Sequence, residues 1–156
     1  KSSKNGTIFE LYFPATRENL NSLPESIDIK EYKGNGEKIL VVDDDIGQRT
    51  IALQILHLLC YSGHAVSSGE AALVYLQEES VSVVILDMVM EPGMNGYQTF
   101  KKILAINPQQ KAIITSGYAE SHDVKEALAL GVRRFIKKPY LIGTLAVVLH
   151  DTLEDL

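Results

Sequence analysis

The sequence is poor in cysteine, and its one thiol, Cys60, excludes an internal disulfide. A lone thiol fits a reducing compartment, and a cytoplasmic setting is expected. Within the apolar run "LHLLCY", Cys60 reads as a small core residue. An excess of basic residues is also missing. Fifteen Lys and Arg stand against twenty Asp and Glu, a net charge of −5, which disfavours a general nucleic-acid binder. No apolar run approaches the roughly 20 residues of a membrane span, so no membrane contact by this segment is expected. Residues 1–18 lack the apolar stretch of a secretory leader. Repeats and low-complexity tracts are absent as well. The first residue is Lys rather than Met, and a piece of a longer protein or a processed product is expected.

What is present is an ordinary globular composition, 46% apolar and 22% charged over 156 residues. That is enough chain for one domain with its own core and an appendage. The first stretch, "GTIFELYFPA", alternates like a strand and stops at Pro14. A single strand needs partners. Residues 19–36, "NLNSLPESIDIKEYKGNG", are polar, show little periodicity and read as a linker.

From Lys38 onward, strand and helix patterns alternate. "KILVV" leads into a helix over "IGQRTIALQILHLLCYSG", with Ile51, Ile55, Leu58 and Leu59 on its apolar face and Gly63 as its stop. "HAVSS" is a brief strand and "GEAALVYLQEE" a helix. "VSVVILD" is a strand, and "GYQTFKKILAIN" a helix ended by Pro108. "KAIIT", "ESHDVKEALALG", "RRFIK" and "YLIGTLAVVLHDTLEDL" complete five strand–helix units. Such alternation predicts a parallel sheet covered on both faces. The runs "ILVV", "VVIL" and "AIIT" are continuously apolar, as doubly buried strands should be. The expected fold is α/β and doubly wound, a (βα)5 flavodoxin-like domain with strand order 2-1-3-4-5.

In such sheets ligands bind beyond the carboxyl ends of the strands. Here those ends carry Asp43, Asp44 and Asp45, then Asp87, then Thr115 and Ser116, then Lys137, Lys138 and Pro139. Packed carboxylates repel and cost free energy when desolvated. A hard divalent cation would supply the missing counter-charge, and Mg2+ accepts one or two carboxylates while keeping sites for water and phosphate oxygens. Lys138 adds a point charge for a phosphate, and Ser116 a hydroxyl donor. A carboxylate beside Mg2+ can attack a phosphoryl group and form an aspartyl phosphate. Asp45, at the start of the first helix, reads as a cap.

Four motifs, "VVDDD" (Val41–Asp45), "ILDMVM" (Ile85–Met90) followed by "NG", "TSG" (Thr115–Gly117) and "KKPY" (Lys137–Tyr140), stand in order at those strand ends. Together they closely resemble the receiver domain of two-component response regulators over residues 37–156. The resemblance implies that Asp87 is the phosphoacceptor and that Asp44, Asp87 and the backbone carbonyl of Val89 bind Mg2+. It implies that Asp43 completes the pocket through metal-bound water, that Ser116 and Lys138 contact the phosphoryl group, and that Ser116 and Phe135 are switch residues. The phosphoryl donor would be a histidine kinase or a histidine phosphotransfer protein, with no classical turnover beyond slow autodephosphorylation; homodimerisation stays open.

One departure stands out. "DMVMEPGMNG" places Gly96 nine positions past Asp87 rather than the usual eight, so the loop reads as one residue longer. The stretch "NGTIFELYFPATRE" resembles the last strand of a histidine-kinase ATP-binding domain. The implied organisation is a kinase remnant at 1–18, a linker at 19–36 and a receiver at 37–156, from a hybrid histidine kinase.

Two other readings compete. A haloacid-dehalogenase-type Mg2+ phosphatase would use Asp43 as nucleophile and Asp45 as acid, but Gly47 replaces the usual Thr and a late acidic pair is lacking. A receiver that is never phosphorylated could serve as a docking module. The histidines do not cluster, and His57 reads as packed within its apolar helix. Tyr97, Tyr118 and Tyr140 border the expected site and read as candidate interface aromatics.

Overall fold

The computed structural model describes residues 2–3, 6–7, 10, 12, 28–117, 126–127, 129–132 and 134–155. Five parallel strands form its main sheet: β1 (Lys38–Val42), β2 (Ser62–Val66), β3 (Val83–Asp87), β4 (Lys111–Ser116) and β5 (Arg134–Lys137). Their spatial order is β2-β1-β3-β4-β5, the order expected from the sequence. The described helices are α1 (Ile46–Leu58), α2 (Gly69–Glu78), α3 (Gly96–Ile106) and α4 (Ile142–Glu154). The helix expected at 120–131 lies largely outside the described residues; Glu126, Ala127 and Ala129 within it are helical.

Period-two alternation in the strands divides the core. Ile39, Val41 and Ile85 face a cluster with Ala52, Ile55, Leu56 and Leu59 of α1 and Leu145, Ala146 and Leu149 of α4. Leu40, Val42 and Leu86 face the other cluster, with Ala72 of α2 and Phe100 and Ile103 of α3. Burial of each such aliphatic side chain contributes about 1.5–3 kcal/mol. Both sheet faces are therefore dry, and the polar ends of the strands are left for chemistry.

The first helix departs from the sequence reading. Its buried face is Ala52, Ile55, Leu56 and Leu59, whereas Ile51 and Leu58 are exposed. Positions 52, 55, 56 and 59 follow the i, i+3, i+4, i+7 pattern, one residue out of phase with the expected stripe. The helix also stops earlier. Cys60 adopts φ 64°, its N–H donates to the His57 carbonyl, and the Tyr61 N–H donates to the Leu56 carbonyl. These two bonds form a Schellman turn with cysteine in the position glycine normally takes. Gly63 consequently lies in β2 and stops nothing. The turn carries Cys60 to the surface rather than into the core, and His57 is exposed as well.

Residues 28–36, the end of the expected linker, pack onto the domain. A short 3-10 helix, Ile29–Tyr32, is capped by the Asp28 side chain. Ile29 and Tyr32 lie against the α1/α4 cluster, and the Tyr32 ring meets His150 edge-on. The Gly34 and Gly36 N–H groups donate to the carbonyls of Leu59 and Cys60. Tyr61, buried beneath this segment, has its hydroxyl pKa pushed up to about 12 by desolvation. Farther upstream, Ser2–Ser3 pairs antiparallel with Gly6–Thr7. Most of the strand expected from "GTIFELYFPA", and residues 13–27, lie outside the described residues.

Candidate functional site

Sheet hydrogen bonding carries the polar residues to one edge. Beyond the ends of β1, β3 and β5, the Asp43 N–H donates to the Val66 carbonyl, the Met88 N–H to Thr115 and the Lys138 N–H to Ser116. Asp43, Asp87, Ser116 and Lys138 are thus held by the ladder that builds the core. Oxygens of Asp43, Asp44 and Asp87 lie within 4.8 Å of one another.

The three carboxylates differ in their surroundings. Asp43 is buried, and each of its oxygens is engaged. Oδ1 accepts from the Asp45 N–H at 2.9 Å, Oδ2 from Lys138 Nζ at 2.6 Å, and the main-chain carbonyl from Arg49 Nη1 at 2.6 Å. Asp87 is also buried; Lys138 Nζ lies 2.9 Å from its Oδ2, and the Val89 N–H donates to its Oδ1 at 3.4 Å. Asp44 is exposed, and among the described residues no hydrogen bond or ion pair engages its carboxylate. Asp45 belongs to α1 as its cap, accepting from the Gln48 N–H at 2.8 Å. A capping carboxylate is poorly placed to act as the acid of a phosphatase.

Desolvation raises the pKa of Asp87 above its ordinary value, and the nearby Asp43 charge adds to this, outweighing the opposing pull of Lys138. Burial disfavours the Lys138 charge, yet the hydrogen bonds and charges of Asp43 and Asp87 outweigh it and raise the Lys138 pKa. One ammonium thus sits between two buried carboxylates with a third exposed beside them. The set has a surplus of negative charge and oxygen donors only, which suits Mg2+ and excludes a soft-metal site.

The other expected residues flank this group. Ser116 is fully buried at the end of β4. Phe135 on β5 is half-buried and packs against the α2/α3 cluster, paired in register with Ile114. Tyr140 is half-buried, with its pKa raised mainly by desolvation. Tyr97 is half-buried at the start of α3, and Tyr118 lies outside the described residues. Val89 is 57% exposed between two buried methionines, Met88 and Met90.

Two contributors went unread in the sequence. Arg49 holds the Asp43 carbonyl, and Glu70 accepts the Met94 N–H at 3.0 Å in the loop after β3. Arg49 lies six residues past Asp43 on the following helix, a spacing that could have signalled it. Nothing in sequence spacing links Glu70 to Met94, because they meet only through the fold.

Comparison with known proteins shows the family and the fold. A model of the response regulator receiver domain matches residues 39–150. The chemotaxis protein CheY of Thermotoga maritima is 34% identical over 67% of this chain and 88% of its own length. The sensor kinase CckA of Brucella abortus is 28% identical over 96% of this chain and 17% of its own. Several curated relatives are much longer, and the chain spans 26% and 17% of two of them. Among solved structures, the receiver domain of the sensor histidine kinase PA1611 from Pseudomonas aeruginosa, described with a magnesium ion in its active-site cleft, superposes with a TM-score of 0.71. It is 22% identical and aligns over 77% of this chain and 99% of that one. Among the described residues, no helix is long and apolar enough to cross a membrane.

Proposed function

Because the chain belongs to the response regulator receiver family of two-component signalling, we propose that Asp87 accepts a phosphoryl group from a phosphohistidine in a Mg2+-dependent reaction. The observation that carries this reading is the juxtaposition of three carboxylates within 4.8 Å, two of them bridged by Lys138. An oxygen of Asp87 attacks phosphorus, the phosphorus–nitrogen bond to the donor histidine breaks, and the imidazole leaves with the bonding electron pair.

Bound Mg2+ would neutralise the phosphoryl oxygens and align them for in-line transfer. Asp44 and Asp87 would hold it with their carboxylates, together with the Val89 carbonyl. Asp44 is suited to this because its carboxylate is exposed and, among the described residues, unengaged. Asp43, its oxygens already occupied, would contribute through water rather than directly. Lys138 balances charge on the acquired phosphoryl group, and Ser116 donates to it. That donation draws β4 toward the phosphate and shifts the populations of the β4–β5 face, with Phe135 as the responding aromatic. A homodimer built on that face is compatible with this switch.

We further infer that the chain is the receiver part of a longer hybrid sensor kinase, since its similarity to CckA runs over 96% of the chain. The donor is then the kinase's own histidine or that of a phosphotransfer protein. A kinase domain encoded directly upstream of Lys1 is the expected finding; an unrelated upstream domain would overturn this part.

For the acceptor, the test is incubation with acetyl phosphate and Mg2+, followed by intact-mass measurement. The parent chain gains one phosphoryl group, and Asp87→Asn gains none. Equal uptake by Asp87→Asn would make the assignment wrong.

A further inference from the structure

The loop between β3 and α3 is one residue longer than the family pattern, and the structure has a device that accommodates it. Met88 and Met90 bury their side chains in the α2/α3 cluster and pin the start of the loop. At its end, Gly96 closes against Asp87 and Met88, and the Gly96 N–H donates to the Met88 carbonyl at 3.2 Å. Between these pins, residues 91–93 are exposed and Gly93 takes φ 124°. The carboxylate of Glu70, in the first turn of α2, reaches this segment from outside the loop. Its Oε1 accepts the Met94 N–H at 3.0 Å, and both its oxygens lie 3.1 Å from where a Cβ on Gly93 would stand. The left-handed Gly93 therefore lets the backbone approach the carboxylate closely.

We propose that Glu70 is a positioning residue of the acceptor site, clamping the lengthened loop through Met94 so that Val89 and Asp87 keep the spacing that Mg2+ requires. The proposal rests on the Mg2+ and Asp87 assignments above. The pull of two backbone N–H groups, its own and that of Met94, also lowers the Glu70 pKa, as expected for a carboxylate that accepts both. Residues that orient ligands without touching the metal commonly set its affinity.

The test compares Glu70→Ala and Glu70→Gln with the parent chain. Three readouts are needed: calorimetric titration with Mg2+ alone, hydrogen exchange at the Met94 amide, and thermal unfolding without metal. Loss of one hydrogen bond predicts that Glu70→Ala weakens Mg2+ binding about 3- to 10-fold. The Met94 amide exchanges faster, and the metal-free melting temperature stays close to the parent's. Glu70→Gln keeps an acceptor oxygen and regains most of the affinity. Unchanged Mg2+ affinity in Glu70→Ala overturns the clamp, as does a Glu70→Gln variant as weak as Glu70→Ala. A drop in affinity that merely tracks lost stability overturns it too. Phosphate uptake by Asp87→Asn, run alongside, would instead overturn the acceptor assignment.

Discussion

The ammonium of Lys138 lies 2.6 Å from Asp43 Oδ2, although 95 residues separate the two in the chain. The pair ties the exit of β5 to the exit of β1 across the carboxyl edge of the sheet. Both side chains are largely shielded, at 14% and 5% exposure, so the attraction is screened far less than at the surface. The same ammonium serves Asp87 at 2.9 Å. Lys138 is thus the counter-charge that lets two like charges share a buried edge before any divalent cation enters.

Replacing Lys138 with Met leaves two buried carboxylates without their partner. The expected loss is about 2 kcal/mol at neutral pH, the scale of hydrogen bonds to charged groups. Because the folded pKa of Lys138 is raised, its contribution is complete below its ordinary 10.5 and is lost as pH climbs through the folded value. Urea denaturation should show the deficit at pH 7 and a partial recovery with added Mg2+. Parent-like stability without metal would show that the bridge contributes nothing.

Asp87 also has a raised folded pKa, but in its case burial disfavours the charged form that prevails at neutral pH. Its folded pKa lies above the ordinary 3.8, so its contribution to stability is complete below pH 3.8 and is lost as pH rises through the folded value. Asp87→Asn removes that penalty. The variant should exceed the parent by about 0.5–2 kcal/mol at pH 7 without metal, the usual scale when a functional site is relieved. The gap should close on acidification. A less stable Asp87→Asn chain at pH 7 contradicts the assigned desolvation.

Gly96 opens α3 directly behind the acceptor. A Cβ there would press on the Asp87 carbonyl and stand 2.8 Å from the Met88 Cα, both main-chain atoms that cannot swing aside. Gly96→Ala is expected to cost about 1–3 kcal/mol and to slow phosphate uptake, because relief of the clash moves the acceptor strand's end. Thermal melts and acetyl phosphate labelling check both halves. An alanine variant that matches the parent in both measurements refutes the close approach.

Cys60 holds a left-handed conformation at the end of α1 with its thiol exposed. Glycine adopts φ 64° without the Cβ penalty, offset in part by its greater freedom in the unfolded chain. Cys60→Gly should therefore gain about 0.5–1 kcal/mol and leave phosphorylation untouched. A lower melting temperature would count against the Schellman assignment.

Much of the fold was legible because apolar runs and their spacing are local signals. The parallel order, the five strands and the place of Asp43, Asp87, Ser116 and Lys138 at one edge all follow from β-runs ending in polar residues. The phase of α1 was not legible. Its sequence is apolar on nearly every side, so Ile51 and Leu58 compete with Ala52 and Leu56 for the buried stripe, and packing against Ile39 and Ile85 decides. Cys60 was misread for a related reason. An apolar neighbourhood says nothing about the turn that ejects a residue from it.

The sequence alone determined which side chains reach the carboxyl edge, since strand termini are written in the hydrophobic pattern and the ladder carries them there. It also determined that Asp45 caps a helix, a bond made within three residues. Only the tertiary structure decided how Asp43 and Asp44 differ, one saturated by Arg49, Lys138 and the Asp45 amide, the other exposed and unengaged among the described residues. Only it placed residues 28–36 against α4 and Glu70 against Met94. Those contacts join segments distant in the chain, and a contact that depends on where two elements meet in space has no local pattern to announce it.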